Sequence, residues 1–94
     1  MDLRSLPGHE LVLQGLADLT AGIETAEALL VAIGAERLRR AGLSVPHDLP
    51  SDPEHRLYLL LAKDDSDSAH ARYNAMIRQL VSFERAAEKI TPRV

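Results

Sequence analysis

Apolar residues recur at helical spacing in four stretches of the chain, separated by short polar or proline-bearing breaks. In the first, Val12, Leu16, Leu19 and Ile23 stand at i, i+4, i+7 and i+11, one stripe of a helix predicted over about 7–20. Ser5 is the expected N-cap, Pro7 suits the first turn, and Glu10 brings a carboxylate to the positive end of the helix dipole. Gly22 is expected to end this helix or to hinge it to the next.

The second helix is predicted over about 24–41, stopping at Gly42 behind Arg37, Arg39 and Arg40. From Ala26 to Ala35 it is apolar nearly all round, with Glu27 its only charge, which predicts a central helix covered on more than one side. Gly34 costs about 1 kcal/mol relative to Ala in a helix interior, so it marks either a tight crossing or a break. The segment 43–51 holds two prolines and is read as a non-helical connection pinned by Leu43, Val45 and Leu49.

Ser51-Asp52-Pro53-Glu54 has the spacing of a capping box, Ser three residues before Glu, and opens a third helix over about 52–63. Its apolar run, Leu57 to Ala62, would suit a buried strand, but the cap, the leucines and the lack of β-branching favour a helix. After a polar turn at 64–68, a fourth helix is predicted over about 67–90, ended by Thr91-Pro92. Ala69, Tyr73, Met76, Leu80, Phe83, Ala87 and Ile90 alternate on it at spacings of four and three, a seam three heptads long.

These elements predict an all-α fold in one domain, 1–94: a bundle-like four-helix arrangement of two helix hairpins joined by the 43–51 connection. Three helices with apolar residues on more than one face are hard to hide in a chain this short. The sequence therefore predicts that a homodimer, or a protein partner, completes the bundle through Tyr73, Met76, Leu80, Phe83, Ala87 and Ile90, with Tyr73, Leu80 and Phe83 as anchors. Glu84 sits just off that seam and is expected to pair with Arg39 or Arg40.

Composition narrows the chemistry. Hydrophobic residues make up 46% of the chain but aromatic ones only 3%, so the core must be built from Leu, Ala, Val and Ile. There is no Cys, which excludes disulfides, thiolate metal sites and a cysteine nucleophile. No His pairs with another at i, i+4, and no metal motif of His and carboxylates is present. Asp52 with His55, and Asp67 with His70, each share a helical face and are the weak metal candidates; carboxylates are drawn to helix starts anyway. The serines lie in no nucleophile elbow, and the glycines form no phosphate-binding loop. The expectation is a non-enzymatic protein without cofactor or metal.

The net charge of −3 gives no overall attraction to phosphate backbones or anionic membranes. That total hides an asymmetry: residues 1–68 carry six basic and twelve acidic side chains, whereas 69–94 carry five and two. Arg78, Arg85 and Lys89 fall at i, i+7 and i+11, a basic stripe away from the apolar seam, and they define the nucleic-acid alternative. Without aromatic residues on the stripe there is no platform for base stacking, and a solvated helix face is the favoured explanation. Residues 28–42 have the outline of a helix-turn-helix with Gly34 at the turn, but the second helix would have barely two turns, too short to read a major groove comfortably. No apolar run approaches the roughly 20 residues that span a bilayer, and the first ten residues lack the apolar core of a signal peptide. The expected location is cytoplasmic, and the expected role is an interaction or self-associating module.

Overall fold

The computed structural model describes residues 3–90. A single 3-10 turn at Leu3–Ser5 is followed by five α-helices: α1 (His9–Thr20), α2 (Ala26–Ile33), α3 (Ala35–Arg40), α4 (Pro53–Asp64) and α5 (Ala69–Ile90), with no strand among the described residues. The predicted end at Thr91-Pro92 lies outside them.

Helix α1 starts two residues later than its sequence suggests. Gly8, not Ser5, is the N-cap, at φ +77°, a left-handed conformation that glycine enters without steric cost. A side chain on Gly8 would also press on the backbone carbonyl of Gln79 in α5. His9 adds a bond from its ring to the Leu6 carbonyl at 2.8 Å. At the far end Gly22 is left-handed, and the Ile23 amide donates back to the Asp18 carbonyl at 2.8 Å, the six-to-one bond of a Schellman stop. The next helix is then capped from its own side: the Ala28 amide donates to Thr25 Oγ1 at 3.1 Å, and the Thr25 hydroxyl donates to Asp18 at 2.7 Å.

The single second helix of the sequence is two. The helix breaks at Gly34, and a tight crossing sits at the same residue: a Cβ there would lie 2.7 Å from Glu84 Oε2 and 3.0 Å from Leu80 Cδ1 of α5. Helix α2 is central, in contact with α1, α4 and α5, and Ala28, Leu29, Leu30, Val31 and Ala32 are all buried. The approach of α1 to α2 is closest at Gly15, where a Cβ would overlap the Glu27 carbonyl oxygen. After α3, Gly42 turns left-handed, and the Leu43 amide bonds to the Leu38 carbonyl at 3.0 Å.

The 43–51 connection is non-helical, with Leu43 and Val45 buried and Leu49 half-buried. Arg39 fastens it by donating to the carbonyls of Val45 and Pro46. The capping box does not form. Asp52, not Ser51, is the N-cap of α4, at φ +50° and with no side-chain cap bond. Pro53 occupies the first turn and disfavours the right-handed helical region for the residue before it, which accounts for a start at 53 rather than 52. At the other turn Asp65 is the organiser, accepting from the Asp67 amide at 3.1 Å and the Ser68 hydroxyl at 2.9 Å.

One cluster of Leu, Val and Ala side chains around Phe83 forms the core. The radius of gyration, 13.0 Å, is near the roughly 12 Å of a compact domain this size.

Candidate functional site

The apolar seam of α5 divides. Leu80, Phe83 and Ala87 are buried in the chain's own core, and Tyr73 and Met76 are half-buried against it. Ile90 alone among the six predicted interface residues is exposed, at the end of the described helix. As placed, Leu80, Phe83 and Ala87 have no surface to offer a second chain. They are inward bundle positions, which share the heptad spacing of a coiled-coil seam.

The surplus apolar surface is on α4. Leu57 and Leu61, one turn apart, face the core and are almost fully buried. At about 100° per residue, Tyr58 and Leu60 fall to either side of that stripe and Leu59 falls on the opposite face. Their exposures follow: 38% for Tyr58, 39% for Leu60 and 52% for Leu59. Three consecutive large apolar side chains thus meet solvent, framed on the outer face by Asp52, His55, Arg56 and Lys63, all exposed. Sequence periodicity missed this face because the run Leu57–Ala62 is apolar in every direction; only the placement of α2 and α5 decides which leucines are covered.

Tyr58 leans on α5, its ring 6.0 Å from that of Tyr73 in an edge-to-face arrangement, a geometry favoured by the ring quadrupoles. Burial pushes the Tyr73 phenol above its ordinary pKa, and the Glu54 carboxylate adds to that push. On the other flank Arg56 donates to Glu24 at 2.7 Å, tying α4 to the start of α2. Asp52 and Lys63, at the two ends of the strip, enter no ion pair among the described residues.

Charge inside the fold is concentrated at one place. Glu84 is buried at 4% exposure, and its partner is Arg37, not the predicted Arg39 or Arg40. Arg37 lies 3.4 Å from Glu84 and makes a two-pronged contact with Glu88, both prongs at 2.8 Å. Arg39 is turned away to the 43–51 connection, and Arg40, at the last position of the helix, is exposed. Burial pushes the Glu84 carboxyl above the usual carboxylate range; Arg37 pulls it back and Glu88 pushes it up again. The Glu88 bond holds the Arg37 guanidinium more firmly protonated.

Among the described residues no three His, Asp or Glu side chains converge as a metal site would require. Asp67 is engaged by its amide with Asp65, and the His70 ring with Asn74 at 3.2 Å. A shallow groove of about 440 Å³ runs between the end of α1 and the connection, lined by Leu19, Ile23, Ala28 and Leu49 with Glu24 and Asp48. Arg78, Arg85 and Lys89 all lie exposed on the outer side of α5. Among the described residues no helix is long and apolar enough to cross a membrane. Compared with known proteins, the chain matches no family model, no curated protein and no solved structure.

Proposed function

We propose that the protein is a self-associating interaction module, and that the outer face of α4 is where two copies meet. The observation that carries this is the exposed run Tyr58-Leu59-Leu60 on a helix whose inward positions are already filled. Isolated exposed leucines need no explanation, but consecutive large ones on a short helix, rimmed by polar residues, fit an interaction surface.

A second copy suits the face because its charges are self-complementary. An antiparallel copy of α4 centred on Leu59 brings Lys63 within a turn of Asp52 of the second copy, and by the two-fold symmetry the reverse pair forms as well. Leu59 packs on its counterpart, and Tyr58 and Leu60 close the sides. One twelve-residue helix buries less than the roughly 1,200 Å² of a standard interface, so association is expected roughly in the micromolar range rather than obligate.

Light scattering over a dilution series, from low micromolar to near millimolar, tests this. The expected result is a rise from one to two chains' mass with concentration, abolished by Leu59→Asp. Lys63→Asp should weaken association, and adding Asp52→Lys should restore it. A single-chain mass at every concentration overturns the proposal.

A further inference from the structure

On α5 the charges are sorted by side. The helix holds two carboxylates, Glu84 and Glu88, and both turn inward to Arg37. The side chains left outward, Arg78, Arg85 and Lys89, are exposed and enter no ion pair among the described residues. Their spacing of seven and four residues puts all three on one line, about 16 Å long at 1.5 Å per residue. Beside them stand the small Ala75 and Ser82, with Asn74, Val81 and Glu88 half-buried at the edges of the line. A depression of about 300 Å³ opens next to Arg78, between Ala75, Ser82 and the start of α1 at Pro7 and Gly8.

From this sorting we infer that the outer face of α5 is a docking surface for the phosphate backbone of double-stranded nucleic acid. Charge complementarity names a polyanion. One feature chooses nucleic acid over an acidic protein. The face has no large exposed apolar or aromatic side chain, so a protein interface there would lack the packed centre that carries binding energy; phosphate contacts need none. Two of the three cations are arginines, whose guanidinium forks suit phosphate oxygens, as they also suit carboxylates. The absence of aromatic residues on the line also selects the duplex over a single strand, which is held by stacking. With base edges out of reach of a backbone contact, binding is independent of sequence. The whole-chain charge of −3 opposes approach at long range, so the attraction is local and requires the line to be presented flat against the duplex.

The test is fluorescence anisotropy with a labelled mixed-sequence DNA duplex and the matching single strand, at two salt concentrations. Three phosphate contacts predict that affinity for the duplex falls about 40-fold between about 50 and 200 mM salt. The triple variant Arg78→Ala/Arg85→Ala/Lys89→Ala should lose most of the binding and most of the salt dependence while keeping its helical circular dichroism. Arg72→Ala is the control for loss of a cation elsewhere on the helix: Arg72 is paired with Asp64 at 2.7 Å, and its removal should leave the salt slope unchanged, whereas Arg85→Ala alone should lower it. No duplex binding at the lower salt overturns the inference, as does binding that the triple variant retains. Equal or tighter binding of the single strand overturns the choice of duplex. Binding of a polyglutamate peptide in place of DNA would assign the face to an acidic protein instead. None of these outcomes depends on the oligomeric state.

Discussion

Helices α2 and α4 carry similar apolar runs, Leu29-Leu30-Val31-Ala32 and Leu57-Tyr58-Leu59-Leu60-Leu61, and meet different fates. The first is covered by α1, α4 and α5 and is buried throughout. The second is covered on one side only, and its three middle residues are exposed. Local apolarity therefore does not decide what is core; the number of neighbouring helices does. In α2 an apolar side chain stabilises the fold, whereas on the outer face of α4 it is surplus to the fold and available to a partner.

Truncation should separate the two helices most sharply. Leu29→Ala and Leu30→Ala are each expected to cost about 2–5 kcal/mol, seen as a large drop in the chemical or thermal unfolding midpoint. Equal midpoints for these and Leu59→Ala would erase the distinction. Next in size is Gly15→Ala, which forces a methyl group into the Glu27 carbonyl where α1 crosses α2; overpacking of this kind costs about 1–3 kcal/mol. A substitution at Gly22, where a Cβ would meet nothing, tests the backbone alone, since that residue is left-handed; Gly22→Ala should cost about 1 kcal/mol.

A smaller effect is expected at Glu84, and it depends on pH. Its folded pKa is raised, so in the folded state it binds its proton more readily than in the unfolded chain. Its contribution to stability is therefore most favourable when protonated, and declines as pH rises from the ordinary carboxylate range, about 4.3, through the raised value. Glu84→Gln should gain stability relative to the natural chain as pH rises to neutrality, and the gain should vanish near pH 4. Unfolding in denaturant at several pH values measures it; a difference that does not change with pH would show that burial is not governing this carboxyl. The smallest effect on stability belongs to Leu59→Ala, expected within about 0.5 kcal/mol of the natural chain.

Much of the helical outline was legible because glycine and proline mark it. Gly22, Gly42 and Pro53 each stand where the backbone stops or starts, and the stripe of α5 identifies Leu80, Phe83 and Ala87 as residues that must be covered. What covers them was not legible. Heptad spacing is the same for an intramolecular bundle and a two-chain coil, so the seam alone could not tell that Leu80, Phe83 and Ala87 are covered within the chain. The partner of Glu84 was misjudged for a related reason: periodicity fixes the side of α5 on which it lies but not which face of α3 approaches, and the break at Gly34 turns Arg37 toward it. Ser51 to Glu54 had the residues of a capping box, but the box needs a backbone that the residue preceding a proline resists. The basic line on α5 was visible from spacing; that both acids of the helix turn away from it was not.

The contact of Arg37 with Glu84 and Glu88 joins residues 47 and 51 positions apart. Closing loops of that length costs chain entropy, and once made the contact holds α3 against the far end of α5. The cluster is thus a latch between the shortest and the longest of the described α-helices. Arg37→Ala should hasten unfolding more than it slows folding if the latch closes after the transition state, which the two rates measured separately would show.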